Sequence, residues 1–301
     1  MWGTAVFRHG AECVTVLRSA DTSAVDLVSL RHDGQDRPYH LHVPAGADEL
    51  VALVVELHGR GVDPIRFDGV TGFRPLADEV GFALALPAAV GGIWNDGRDP
   101  LRSTDDVAYL DAVVEDVCRR SPVDPRRVYL VGMSNGAAMA GRFALERAER
   151  IAGIGQVAGT AAASIARQHR PDRSLGLLQI HGTRDEIAPY AGGSRRALRA
   201  RLLVARSLAA SIGVDEWARL WVEALGGAET PESETLVPDT ARRTWRDADG
   251  KPTVVFYRVE GAGHTWPNSK IKLPRHLFGR TTTTFDATRT IWEFFETIRK
   301  P

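Results

Sequence analysis

Short apolar runs alternate with amphipathic stretches along most of this chain. The runs are rich in valine, leucine and isoleucine and occupy residues 53–57, 82–87, 127–131, 154–158, 177–181 and 254–259. Runs of four to eight apolar residues without polar alternation are typical of strands that are covered on both faces, as in a parallel sheet. The pattern therefore predicts a mostly parallel sheet whose strands are separated by helices.

Helical periodicity fills the intervals between these runs. After the polar segment 103–106, which offers an N-cap and acidic residues for a first turn, Val107, Leu110, Val114 and Val117 share one helix face. A C-terminal helix is predicted in the same way, with Asp286 as its cap. Repeated strand–helix alternation indicates the α/β class with a doubly wound sheet.

Two segments depart from this rhythm. Residues 27–32 and 39–43 flank the turn signal at 33–36 and predict an antiparallel hairpin at an edge of the sheet. Residues 191–250 combine an arginine-rich helix over 195–206, a second helix around 217–225 and a polar stretch over 226–250. We interpret them as a small cap or insertion within a single domain that spans residues 1–301.

Composition narrows the function classes. The chain has 301 residues, of which 44% are hydrophobic and 25% charged, and its 38 basic and 38 acidic side chains balance. A net charge of zero gives no electrostatic case for binding nucleic acid or an anionic membrane. The N-terminus lacks the apolar core of a secretory signal, so we expect a cytoplasmic protein. Oligomeric state and the pairing of Cys13 with Cys118 stay open.

The run at 127–131 leads directly into a Gly-x-Ser-x-Gly sequence centred on Ser134. Small, helix-forming residues follow it. A strand, a sharp turn and a helix in this order predict a nucleophile elbow, in which Gly132 and Gly136 leave room where side chains would clash. Ser134 is therefore a candidate nucleophile, which needs an acid and a histidine later in the chain.

Both partners have candidates in loops after predicted strands. Asp185 and its neighbour Glu186 follow the strand at 177–181, and His264 lies in a glycine-rich loop after the strand at 254–259. The chain order serine, acid, histidine is the one that an elbow-type hydrolase uses. His58 and His181 precede glycines at strand ends, where we expect them to support loops through hydrogen bonds.

An oxyanion hole and a substrate pocket complete the predicted site. Two backbone N–H groups must face the developing oxyanion, and those of Asn135 and Arg60 are our choice, with Gly61 as the alternative to Arg60. Three further side chains are predicted to contact substrate, with core packing as the other interpretation of the two indoles. They are Trp94, Asn95 and Trp266.

Further short motifs extend from residue 33 to the C-terminal helix. They lie at 37–44, 57–59, 94–95, 105–107, 123–129, 132–136, 181–185, 189–193, 263–267, 285–288 and 291–295. Together the chain resembles the polyhydroxybutyrate depolymerase and feruloyl esterase group of α/β-hydrolases. The resemblance implies the α/β-hydrolase fold, selects Asp185 over Glu186, and implies ester hydrolysis by Ser134, Asp185 and His264 without metal or cofactor.

One departure from the group concerns Arg60. Many members have cysteine or a small polar residue at this position, and an arginine there narrows or charges the acyl pocket. The expected substrates are feruloyl or other aryl esters, short-chain acyl esters, and hydroxyalkanoate esters or polyesters. A serine peptidase or amidase on the same fold, and a non-catalytic binding protein, are the alternatives that the sequence leaves open.

Overall fold

Fourteen strands are present in the computed structural model, which describes residues 2–9, 12–19, 25–45, 49–172, 174–193, 209–226 and 230–301, with the backbone alone for the first two ranges. The strands are β1 (Trp2–His9), β2 (Glu12–Ser19), β3 (Asp26–Val28), β4 (Arg31–His32), β5 (Gln35–Asp36), β6 (Tyr39–His42), β7 (Val51–Leu57), β8 (Ala83–Pro87), β9 (Val123–Met133), β10 (Gly153–Val157), β11 (Gly176–Gly182), β12 (Glu232–Val237), β13 (Thr240–Arg246) and β14 (Pro252–Val259).

The helices lie between them. They are α1 (Pro64–Thr71), α2 (Phe73–Val80), α3 (Asp106–Arg120), α4 (Asn135–Glu146), α5 (Ala163–Gln168), α6 (Val214–Leu225), α7 (Arg275–Phe278) and α8 (Ala287–Thr297), with 3-10 turns at Val90–Gly92 and Ala148–Arg150. Side chains of Asp63, Asp105 and Asp286 cap α1, α3 and α8 by accepting from backbone N–H groups of the first turn.

A ten-stranded sheet organises the molecule, in the order β12-β13-β14-β11-β10-β9-β7-β8-β6-β3. The six strands from β14 to β8 run parallel, and antiparallel strands extend both edges. Each parallel strand overlaps one of the predicted apolar runs, of which only the end residues 82 and 158 lie outside the strands. The prediction of a mostly parallel sheet is thus confirmed.

Two hydrophobic layers cover the sheet. Residues of α3, α4 and α6 pack on one face, while residues of α1, α2 and α8 pack on the other. Strand β7 shows how both are filled, because Leu53 and Val55 point into the first layer and Ala52 and Val54 into the second. Loops follow the carboxyl ends of the parallel strands.

The predicted edge hairpin is confirmed. Strand β3 pairs antiparallel with β6, and β4 pairs with β5 inside the same hairpin. Asp33 and Gly34 connect β4 to β5 with φ angles of 49° and 70°, as a two-residue type I′ turn requires.

No helix in the described ranges is both long and apolar enough to cross a bilayer.

The segment 191–250 only partly follows its prediction. Helix α6 confirms the helix expected around 217–225, and its Trp217 and Trp221 are buried in the first hydrophobic layer. Residues 232–246 were predicted as a polar part of a cap and instead form β12 and β13 at the edge of the sheet. Exposed cross-strand pairs such as Arg242–Glu234 explain their polarity. The predicted helix at 195–206 lies outside the described residues, and the single-domain assignment stays a prediction.

Candidate active site

Ser134 lies at the junction of β9 and α4, in a backbone conformation that side chains rarely adopt. Its φ and ψ angles are 59° and −115°. The Ser134 N–H donates to the carbonyl of Val157 at 3.0 Å, and the Ser134 carbonyl accepts from Ala138. These contacts hold a half-buried serine at a strained strand-to-helix turn, as the sequence pattern predicts.

The two glycines around the serine are required by close backbone packing. A Cβ atom on Gly136 would stand 2.0 Å from the carbonyl oxygen of Leu57, and one on Gly132 would stand 2.5 Å from the carbonyl carbon of Gly136. Neither neighbour is the end of a flexible side chain, so neither can move aside cheaply. Helix α4 can start this close to β7 only because both positions lack side chains.

Asp185 and His264 meet at the carboxyl ends of β11 and β14. His264 Nδ1 lies 2.7 Å from Asp185 Oδ2, and the two residues are 5% and 4% exposed. Asp185 Oδ1 accepts from the N–H groups of Ile187 and Ala188 at 2.8 and 2.7 Å. Glu186 is exposed. Of the two acids that the sequence offered, Asp185 is the one in contact with the histidine.

Backbone contacts fix the loops that carry this pair. The Arg184 N–H donates to the Ala262 carbonyl at 2.9 Å, and the His264 N–H donates to the Phe278 carbonyl at 2.7 Å. Gly182 and Gly263 allow this approach, since a Cβ on either would come within 2.3 Å of a carbonyl oxygen. The histidine is thus supported by the acid and by the segment around α7.

The charges around Asp185 favour its ionised form. Burial alone would raise the pKa of Asp185, but attraction to His264, its hydrogen bond and the Ala188 N–H together lower that pKa below its usual range. His181 stands next to it, with Nε2 2.8 Å from the carbonyl oxygen of Ala188. Burial lowers the pKa of His181, so its neutral ring supports the turn, as predicted.

A second loop approaches Ser134 from β7. A Cβ built on Gly59 would lie 3.9 Å from the Ser134 Cβ, which places the loop at 58–61 against the serine. His58 supports it through both ring nitrogens, with Nδ1 2.8 Å from the Gly59 carbonyl oxygen and Nε2 accepting from the Ala89 N–H at 3.1 Å. The Gly61 N–H donates to the Gly92 carbonyl at 2.7 Å, so it is already occupied. This favours Arg60 over Gly61 as an oxyanion donor.

The three side chains predicted to contact substrate are engaged within the protein. Trp94 and Trp266 are each 1% exposed, and their indole N–H groups donate to the His58 carbonyl and to Thr288 Oγ1 at 3.0 Å. Asn95 Nδ2 donates to the carbonyls of residues 102 and 104. The assignment to a substrate pocket is therefore corrected for the two indoles, while that of Asn95, which is half-buried, stays a prediction. All three side chains shape and support loops, and the indoles follow the core-packing interpretation.

Sequence reasoning missed a buried polar network beside the serine. The Asn135 side chain accepts from the Trp94 N–H at 2.8 Å and donates to Asp96 Oδ2 at 2.6 Å. Asp96 also forms a 2.5 Å ion pair with Arg98, which reaches Ser211 Oγ at 3.0 Å. The pairing joins loops that are far apart in the sequence, so only the high polarity of residues 95–99 could have hinted at it.

Several known proteins have sequences similar to that of this chain. The family profile described as Esterase PHB depolymerase matches residues 37–170. A candidate esterase, NocK of Nocardia uniformis subsp. tsuyamanensis, is 31% identical over 82% of this chain and 76% of its own length. The bifunctional acetylxylan esterase/xylanase XynS20E of Neocallimastix patriciarum is 25% identical over 53% of this chain and 23% of its own length.

Two further comparisons concern another relative and the fold. Feruloyl esterase B of Piromyces equi is 24% identical over 64% of this chain and 34% of its own length. The solved structure of an acetyl xylan esterase from Aspergillus awamori superposes with a TM-score of 0.63, covers 91% of this chain and all of its own, and is 14% identical. At that identity the likeness establishes the fold, which is that of the α/β-hydrolases.

Proposed function

The chain belongs to the esterase PHB depolymerase family of carboxylic ester hydrolases, and from this premise we propose that Ser134, His264 and Asp185 are its nucleophile, general base and orienting acid. The observation that carries the proposal is the 2.7 Å contact between His264 Nδ1 and Asp185 Oδ2. A carboxylate at Nδ1 holds the imidazole tautomer whose Nε2 accepts a proton, and it stabilises the imidazolium that results.

The reaction then proceeds in two halves. As Ser134 Oγ bonds to the ester carbonyl carbon, its proton passes to His264 Nε2 and the carbonyl oxygen becomes an oxyanion. Collapse of this adduct breaks the bond to the alcohol oxygen, which leaves with the proton from Nε2. Water attacks the acyl-enzyme by the same route, which releases the carboxylic acid and restores Ser134.

The oxyanion is bound by the backbone N–H groups of Asn135 and Arg60. Asn135 begins α4, where the first amides of a helix have no acceptor within the helix and point toward its N-terminal end. Arg60 follows Gly59 in the loop that approaches the serine. Both donors belong to segments that are held by backbone hydrogen bonds, so little reorganisation accompanies the charge development.

The proposed substrates are feruloyl or other aryl esters, short-chain acyl esters, and hydroxyalkanoate esters up to oligoesters and polyesters. The names of the relatives support this range, since they include an acetylxylan esterase and a feruloyl esterase, and the family itself is named for PHB depolymerase. All these compounds present one reacting group, an acyl carbonyl bonded to an alkoxy or aryloxy oxygen. The loops around it select among them.

Ser134→Ala is the direct test, with p-nitrophenyl butyrate as the substrate. The variant should lose turnover by a factor on the order of 10³ or more while its circular dichroism stays unchanged. Ser103→Ala, at an exposed serine, is the matched control and should behave as the parent protein. A fluorophosphonate probe should label the parent and the control but not Ser134→Ala. Parental turnover by folded Ser134→Ala overturns the assignment.

A further inference from the structure

Arg60 is half-buried and stands in the loop that lies against the proposed nucleophile. The neighbouring Gly59 lies against Ser134, with 3.9 Å between its built Cβ and that of the serine. Among the residues that the structure describes, no carboxylate lies within salt-bridge distance of the Arg60 guanidinium. A partly buried guanidinium without an ionic partner retains the capacity to bind an anion.

The charges around Arg60 come from the loop at 96–102. Asp96 and Asp99 attract its guanidinium, whereas Arg98 and Arg102 repel it. Asp96 in turn contacts Asn135, the residue that follows the nucleophile. The Arg60 guanidinium is therefore within electrostatic reach of the loop that contacts Asn135.

Asp96 is not the partner of Arg60, because the contacts of its carboxylate are with Arg98 and Asn135. Oδ2 accepts from Arg98 Nη2 at 2.5 Å, from Arg98 Nε at 3.1 Å and from Asn135 Nδ2 at 2.6 Å, and Oδ1 accepts from the Arg98 N–H at 3.0 Å. Arg102 has a different acceptor, the Val90 carbonyl at 3.2 Å. Among the described residues, Arg60 and Arg102 both lack a salt bridge, and Arg60 is the one that follows Gly59, the residue that lies against Ser134.

Partial burial adds to this electrostatic imbalance. Burial lowers the pKa of Arg60, and the nearby arginines lower it further against the pull of Asp96. A guanidinium nevertheless stays protonated at neutral pH. An anion at this place would gain from a cation that is partly removed from water, where charged hydrogen bonds are stronger.

We propose that the Arg60 side chain binds a carboxylate of the substrate, so that the enzyme prefers esters that carry a carboxylate a few atoms from the scissile carbonyl. This inference rests on the proposed esterase function and names a substrate class for it. The backbone N–H of Arg60 serves the oxyanion and the guanidinium serves the distal carboxylate. Because these are different groups of one residue, side-chain substitution alters the second and retains the first.

Two matched pairs of esters locate the carboxylate. In monomethyl adipate the carboxylate is on the acyl side of the ester, and dimethyl adipate is its neutral partner. In 4-acetoxybenzoate the carboxylate is on the alcohol side, and methyl 4-acetoxybenzoate is its neutral partner. The measured quantity is the ratio of kcat/KM for the anionic ester to kcat/KM for its neutral partner. A ratio within one pair cancels changes in the common chemical steps.

The ratio of at least one pair should fall about tenfold in Arg60→Gln, as expected for loss of a charged hydrogen bond, and Arg60→Lys should restore part of it. Arg66→Gln removes an equal charge from an exposed position in α1 and should leave the ratio at its parental value. Added salt should lower the parental ratio but not that of Arg60→Gln. The pair that responds identifies the side of the ester that carries the carboxylate.

The failures of the two proposals can be told apart. If the parent hydrolyses the neutral esters and Arg60→Gln leaves both ratios unchanged, the carboxylate proposal is overturned and the esterase proposal stands. If the parent hydrolyses none of the four esters and does not react with the fluorophosphonate, the esterase proposal falls and takes this inference with it.

Discussion

Asn135 Nδ2 donates a 2.6 Å hydrogen bond to Asp96 Oδ2, although the two residues are 39 positions apart. Both are buried, and the same carboxylate holds Arg98 in an ion pair. Asn135, the residue that follows Ser134, is thereby connected to a loop that also supplies the Trp94 contacts. The candidate site is thus connected to this buried charge pair through Asn135.

Asp96→Asn should destabilise the protein by about 3–5 kcal/mol, because it leaves the Arg98 guanidinium buried without its counterion. Urea unfolding at neutral pH measures the change. Asp249→Asn, at an exposed carboxylate, is the control and should stay within about 0.5 kcal/mol of the parent. Equal midpoints for the two variants would show that the Asp96–Arg98 pair contributes nothing to stability.

Gly136→Ala and Gly59→Ala should have opposite phenotypes. A methyl group at Gly136 would meet the Leu57 carbonyl oxygen at 2.0 Å, so α4 must shift and the melting temperature should fall strongly. At Gly59 it makes ordinary contacts of 3.7 and 3.9 Å with Met133 and Ser134. That variant should keep its melting temperature and lose turnover, because the methyl group occupies space beside the nucleophile.

Differential scanning calorimetry and p-nitrophenyl butyrate hydrolysis distinguish the pair. A folded, thermally normal Gly136→Ala would contradict the backbone packing described for the elbow. Full turnover by Gly59→Ala would place the reacting ester away from the loop at 58–61.

Glu56→Gln should change how stability depends on pH. Burial raises the pKa of Glu56 well above its usual range, Asp68 raises it further, and the Thr71 hydroxyl, at 2.5 Å from Oε1, opposes both. The folded state thus retains a proton that the unfolded chain loses above about pH 4.3. Stability from this group is complete below that pH and is lost as the pH rises through the folded-state pKa.

The glutamine keeps the shape of the side chain without an ionisable group. Its stability relative to the parent should therefore increase from acidic to alkaline pH, which urea midpoints between about pH 5 and pH 8 would show. Parallel curves for the two proteins would mean that Glu56 titrates alike in the folded and unfolded states.

The sequence predicted most of the fold because burial leaves a direct signal. Strands covered on both faces, such as β7, need unbroken apolar runs, and the sheet follows from them. Strands β12 and β13 were not predicted, because cross-strand ion pairs such as Arg246–Glu232 make the sequence of an exposed edge strand as polar as that of a loop.

The residues of the candidate site also differ in how clearly the local sequence indicates their role. Ser134 can be recognised in the sequence by its flanking glycines. The local sequence does not distinguish a tryptophan that contacts substrate from one that packs in the core. Trp94 and Trp266 are of the second kind, with their N–H groups satisfied inside the protein. The Asp96–Asn135 contact was unpredictable for another reason, since its partners meet only once the loops of different strands come together.

The hydrogen bond from the Gly61 N–H to the Gly92 carbonyl constrains how this enzyme can diversify. It anchors the loop on one side of Arg60 while His58 anchors it on the other, so the main chain at residue 60 keeps its course whatever side chain is present. Position 60 can therefore vary between related enzymes, or in a library of variants, without a change in the main chain of the proposed oxyanion site. Mutation of residue 60 can then change substrate selectivity without changing the rate acceleration.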